Sequence, residues 1–169
     1  MAYLTNSLVY FLDLISLWVV LQGTDEQPGL MPLAMNTILS MCQTTGSKAE
    51  ISYYEVYLDK CYDLLELKPK EIAVWDDKDG QIHLNGLSRA PINSMLEFDD
   101  VFSCGVQRRK VAHTGLNDVS SRSHGVLVIS ISRPCSDGSG AILLGKLNLI
   151  DLAGSNFSIK HIEIRSLYF

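Results

Sequence analysis

Two short segments hold the residue types best able to do chemistry. Residues 117–124 read Asn-Asp-Val-Ser-Ser-Arg-Ser-His, between a helical and a strand-like stretch. Serine hydroxyls can ligate Mg²⁺ or hydrogen-bond a phosphate oxygen, and an arginine supplies a charge that pairs with an anion. On composition alone the same residues also describe an exposed Ser-rich loop. Residues 151–154 read Asp-Leu-Ala-Gly after the largely apolar Leu147–Ile150. A carboxylate at the C-terminal end of a buried strand is where a Walker-B-type Asp reaches the Mg²⁺ of a nucleotide. A glycine three residues on offers a bare backbone N–H with no Cβ in the way.

Other chemistries fit less well. Gly140–Leu147 (GAILLGKL) comes close to the phosphate cradle GxxxxGK[ST], but Leu147 stands where a hydroxyl must reach the metal. Its apolar residues also enter a strand, whereas a cradle follows a strand and opens a helix. Thr45-Gly46-Ser47-Lys48 lacks the spacing. Ser123 and His124 are adjacent, so in a strand they point to opposite faces, and no GxSxG elbow exists. A G-protein-like NTPase shares DxxG but needs a cradle and NKxD, and neither is present. Cys42, Cys61, Cys104 and Cys135 form no CxxC pair, and the four histidines form no HxxxH or HExxH spacing. Neither a metal site nor a disulfide framework is expected, and the thiols read as free in a reducing compartment.

The surrounding pattern must position these segments. Leu30–Cys42 is helical, with Met35, Ile38, Leu39 and Cys42 on one face and Pro32 in the first turn. Ile51–Tyr57 (ISYYEVY) is a strand. Asp59 is expected to cap a short helix in which Cys61, Leu64 and Leu65 share a face. Ile72–Trp75 and Gln81–Leu84 flank the turn signal DDKDG. Ser94 to Glu97 has capping-box spacing, followed by the core stripe Met95, Phe98, Phe102 and Val106. The cluster Arg108-Arg109-Lys110 reads as a solvated helix end. Val126–Ser132 and Leu143–Asp151 are two strands joined by the turn Ser136–Gly140, an antiparallel hairpin. The second is nearly apolar throughout and is expected to be buried on both faces. The order of elements argues an α/β fold with a mixed central sheet flanked by helices.

The 169 residues carry 14 Lys+Arg and 19 Asp+Glu, a net charge of −5. A broad basic surface for nucleic acid is not expected. Leu8–Leu21 is apolar but interrupted by Asp13 and too short to span a bilayer. No Lys or Arg precedes it and no small-x-small site follows, so neither a secretory nor a membrane role is expected.

Three segments together resemble the kinesin motor domain. Ile51–Tyr57 followed by Asp63-Leu-Leu65 resembles the family's SYxEIYxExxxDLL. Val111-Ala-His-Thr114 and Asn117–His124 resemble switch I, whose hallmark is NxxSSRSH. Gly145–Ser155 resembles the strand and switch II motif GKLxLxDLAGSE. Gln22–Asn36 is similar to the stretch after the family's P-loop. The wording is most like that of plant-type or chromosome-associated kinesins.

The resemblance implies a kinesin-type P-loop NTPase fold, with ATP and Mg²⁺ as cofactors, the microtubule (tubulin) as partner and a cytoplasmic, cytoskeletal location. By the resemblance, Ser120 and Ser121 contact the γ-phosphate and Mg²⁺, and Arg122 closes on switch II. Asp151 lies near Mg²⁺, Gly154 senses the γ-phosphate, and Asn117 lies near the attacking water. In the resulting division, residues 1–21 do not match the family, 22–156 form a partial motor domain, and 157–169 are a divergent tail. Residues 1–21 hold no Gly and no Lys where the P-loop GxTGxGKT is expected, and Asn156 stands in place of the switch II Glu. A truncated or mis-spliced motor segment with poor ATP turnover is therefore expected. The alternative is a non-catalytic remnant that binds microtubules or a partner.

Overall fold

The computed structural model describes residues 8–10, 23, 27–68, 70–80, 82–111, 123–135 and 140–151. In chain order the elements are β1 (Leu8–Tyr10), α1 (Leu30–Thr45), β2 (Lys48–Tyr57), β3 (Lys60–Asp63), β4 (Lys70–Asp76) and β5 (Ile82–Asn85). Then come β6 (Ala90–Ile92), α2 (Met95–Val111), β7 (His124–Pro134) and β8 (Ala141–Asp151). One sheet runs β1-β8-β7-β2-β3-β4-β5, and β6 pairs with β2 beside that path. β1 lies parallel to β8, with Leu8 opposite Leu147, and every other pairing is antiparallel. The sheet is therefore mixed, as the α/β reading expects.

Local chemistry sets the helix ends. Gly46, at φ 65, terminates α1 in the left-handed conformation that costs glycine no Cβ clash. Ser47 N–H then bonds Cys42 O at 3.1 Å. At the start of α2, Glu97 N–H donates to Ser94 Oγ at 3.2 Å. The Glu97 carboxylate reaches one residue further back than a capping box has it, accepting from Asn93 N–H at 2.8 Å.

The core stripe reads correctly. Met31, Met35, Ile38, Leu39 and Cys42 of α1 and Phe98, Phe102 and Val106 of α2 share one cluster. They pack with Ile51 and Tyr53 of β2, Leu127 and Ile129 of β7 and Leu149 of β8. Both described helices thus cover the same face of the sheet. Phe98 and Phe102 stack at 5.3 Å, and Tyr53 meets Phe102 at 5.3 Å and a 45° tilt. Each such buried aromatic contributes about 1.5–3 kcal/mol by area alone. The alternate residues of the same strands, Tyr54, Val126 and Ile150, join Cys61 and Ile72 in a second cluster.

Two expectations are corrected. No helix follows Asp59: Lys60–Asp63 is β3, hydrogen-bonded back onto β2 with Tyr57 opposite Lys60. Leu58 and Asp59, at φ 50 and 60, form the two-residue turn between them. Two consecutive positive φ values give the primed turn whose twist suits a tight hairpin. β8 is buried on both faces only toward its end. Ala141–Leu144 are exposed and Asn148–Ile150 are buried. Cys135 N–H bonds Gly140 O at 2.8 Å. Residues 136–139 of the expected turn lie outside the described residues.

Candidate functional site

The last residue of β8 is Asp151, so the strand-terminal carboxylate stands where the apolar run before it predicts. Gly125 of β7 lies directly opposite it in register. Asp151 Oδ2 accepts a hydrogen bond from Arg109 Nη1 at 2.6 Å. The ion pair is nearly dry, with side-chain exposures of 8% for Arg109 and 14% for Asp151. Arg109 Nη2 donates to Ser123 O at 2.9 Å. One helix-borne side chain thus ties the start of β7 to the end of β8.

Two glycines make the room. A Cβ on Gly125 would stand 2.5 Å from Arg109 Nη1 and 3.5 Å from the Tyr53 hydroxyl. A Cβ on Gly105 of α2 would stand 2.6 Å from Tyr53 Cδ1. Any other residue at either place pushes the ring or the guanidinium aside.

Electrostatics follow from burial. Burial raises the Tyr53 pKa, and the Arg109 charge opposes that rise. Burial disfavours the Arg109 charge, but Tyr53 and Asp151 outweigh it and hold its pKa above the ordinary value. His124, the first residue of β7, is pushed below its usual range by burial and then by Arg109, with Asp151 opposing. Ser123 Oγ is buried with no hydrogen-bond partner among the described residues.

Of the six residues singled out by motif, Asp151 alone falls among those described. Asn117, Ser120, Ser121, Arg122 and Gly154 lie outside the described residues, as does Asn156. The end of α2 (Val111) and the start of β7 (His124) bracket residues 117–122. Arg109 and Ser123 meet beside Asp151, where the start of β7 lies next to the end of β8. The described residues include no cluster of His, Cys, Asp or Glu able to hold a metal by itself. Among them no helix is long and apolar enough to cross a membrane.

The basic cluster is the residue group that reading by charge misjudged. Arg108 and Arg109 are not a solvated helix end. Arg108 Nη1 donates to Leu64 O at 2.8 Å and Leu65 O at 3.1 Å, and Arg109 is 6% exposed. The signal was available: Arg109 stands three residues after Val106 and continues the buried stripe of 95, 98, 102 and 106. A cation on that stripe requires an anion in the core.

Comparison with known proteins agrees with the motifs. The family model for the kinesin motor domain matches residues 20–164. The chain is 69% identical over 135 residues to kinesin-like protein KIN-10B of Arabidopsis thaliana, covering 80% of this chain and 20% of that protein. It is 58% identical to KIN-10C of Oryza sativa subsp. japonica over 80% of this chain and 22% of that protein. It is 42% identical to KIF22-A of Xenopus laevis over 79% and 22%. The chain therefore spans about a fifth of the length of these relatives. A solved fast kinesin, described for its ATPase mechanism and microtubule interactions, superposes with TM-score 0.76 at 26% identity, over 93% of this chain and 47% of that one. Motifs, sheet and comparisons agree: this chain belongs to the kinesin motor-domain family, whose members are ATP-binding microtubule motors.

Proposed function

We propose that this chain is the central segment of a microtubule motor and that Asp151 is its nucleotide-site carboxylate. The observation that carries the reading is Asp151 at the C-terminal end of β8, held by Arg109 at 2.6 Å. In this proposal Ser120, Ser121 and Asp151 serve Mg²⁺ and the phosphates, Asn117 and Gly154 serve the γ-phosphate end, and Arg122 closes toward switch II. Residues 22–156 are the motor portion, with 1–21 and 157–169 outside it. The location is cytoplasmic, on the microtubule cytoskeleton.

The residues present fit the metal side of ATP·Mg²⁺. Asp151 offers a carboxylate at the end of β8, and Mg²⁺ is held by carboxylates largely through its waters. They do not fit the phosphate side as well, because no GxxxxGK[ST] exists in the 169 residues. We therefore expect weak ATP binding and turnover by this chain, with coupling to microtubule movement impaired. Calorimetry with ATP and Mg²⁺ tests this, with Ser121→Ala as control. Weak binding that Ser121→Ala abolishes supports the reading, and a microtubule-stimulated ATPase rate equal to an intact motor's overturns the impairment. The missing cradle favours one alternative, a non-catalytic module that binds microtubules. Co-sedimentation with microtubules unaffected by ATP selects it.

A further inference from the structure

We infer that Arg108 is a positioning residue for Asp151: it clamps the last turn of α2 to the bend after β3, and so sets where Arg109 delivers its guanidinium. This deepens the reading of Asp151 as the nucleotide-site carboxylate and rests on it for its functional consequence. Arg108 Nη1 donates to two backbone carbonyls, Leu64 O at 2.8 Å and Leu65 O at 3.1 Å. Both lie just past the end of β3, outside the ladder that pairs β3 with β2 and β4. Leu64 is 1% exposed, and a carbonyl at so dry a place needs a donor. Gly105, three residues before Arg108 on α2, presents no side chain to the bend: a Cβ there would stand 3.5 Å from Leu64 O.

The bend is a firm anchor. Leu64 N–H donates to Tyr53 O of β2 at 2.9 Å. Leu65 N–H donates to Asp63 Oδ1 at 2.9 Å, and Ser88 N–H donates to Asp63 Oδ2 at 2.7 Å. Asp63 is fully buried. The two carbonyls that Arg108 grips are therefore tied to β2 on one side and to the segment ahead of β6 on the other.

The last turn of α2 depends on that grip. Val106 is the last buried apolar side chain of the helix among the described residues. Beyond it, two hydrogen-bonded arginines hold the turn. Consecutive helical residues project about 100° apart around the axis. Arg108 reaches the bend after β3, and Arg109 reaches Ser123 O and Asp151 Oδ2. Two anchors at different angles fix the roll of the helix, and one alone leaves it free to turn. Arg109 has little slack: its bond to Asp151 is 2.6 Å long, and a Cβ on Gly125 would already stand 2.5 Å from its Nη1. A small roll of α2 therefore changes the geometry of the Arg109–Asp151 pair, although Arg108 itself donates to the backbone of the bend.

A double-mutant cycle in the purified chain tests this, with Arg108→Gln, Asp151→Asn and the two combined, read by urea unfolding. A purely structural role for Arg108 makes the two losses additive. Positioning through Arg109 makes them coupled: Arg108→Gln should raise the unfolding constant about fivefold less when Asp151 is already Asn. Additive losses overturn the inference. Should Arg108→Gln fail to fold, Arg108→Lys takes its place, since it keeps the charge and the stem but not the fork. A coupling of about twofold is then expected, and additivity again overturns the inference. ATP binding with and without Mg²⁺ forms a second arm. Arg108→Gln should cut the gain in affinity that Mg²⁺ brings about tenfold, as loss of an outer partner of a metal-side carboxylate does. A gain equal to that of the native chain overturns the inference. If the native chain binds no ATP, the reading of Asp151 as a nucleotide carboxylate fails, while the cycle still decides the positioning.

Discussion

Arg109 and Asp151 are 42 residues apart in the chain and 2.6 Å apart in space. One ends a helix whose other core residues are aromatic and aliphatic, and the other ends an apolar strand. Each is a charge that would be costly to bury alone, and each removes the cost of the other. The pair lies where the start of β7 meets the end of β8.

Breaking that pair should cost more than its surface counterparts. Arg109→Ala leaves the Asp151 carboxylate without its cation and should destabilise the chain by about 3 kcal/mol. Lys60→Ala removes an ion pair to Glu71 whose partners are each more than half exposed, and should leave stability almost unchanged. Urea unfolding of both variants checks the contrast. Equal midpoints for the two would show that the Arg109 pair is not buried in solution.

Gly105→Ala should be destabilising despite the better helix propensity of alanine. In an exposed helix position the substitution gains up to about 1 kcal/mol. Here the new methyl meets Tyr53 Cδ1 at 2.6 Å, and Tyr53 is 1% exposed with Phe102 behind it. Overpacking of this kind costs about 1–3 kcal/mol, so a net loss is expected. Thermal unfolding of Gly105→Ala measures it, and Tyr53→Leu, which removes the rigid ring, should lessen the penalty in the double variant.

His124 gives the fold a pH dependence with a definite sign. Burial first, and the Arg109 charge second, lower its folded-state pKa below the 6.5 of the unfolded chain. Below 6.5 the unfolded state therefore binds more protons than the folded state, and stability falls as pH falls toward the folded value. Above 6.5 both states are neutral at this residue and the effect vanishes. Denaturant midpoints between pH 5 and 7.5 should show a loss on acidification that is smaller in His124→Asn. An equal slope in both proteins would remove His124 as the cause.

Much of the molecule follows from its residues read in order. The apolar spacing of Met35, Ile38 and Leu39 makes α1 helical whatever it packs on, and Gly46 stops it because few other residues take its φ. The aromatic and β-branched residues of ISYYEVY favour a strand. The order NxxSSRSH then DLAGS identified the family, since residue type and spacing carry that information without coordinates. The hairpin after Tyr57 was not legible. Cys61, Leu64 and Leu65 suit a helix face as well as a strand followed by a loop, and only pairing with β2 and β4 decides between them.

Pairing across the sheet was equally out of reach. Sequence places Asp151 at a strand end, but not which cation meets it, because local spacing is silent about residues 42 apart. Arg108, Arg109 and Lys110 look alike as a basic run. The helix rotates Arg109 onto the buried stripe with Phe102 and Val106, and Gly105 and Gly125 leave space for Tyr53 and the guanidinium. Local propensity and motif thus determined the elements and the family. Tertiary packing decided which charges are dry and which partners hold them, because burial and desolvation exist only once distant segments share one interior.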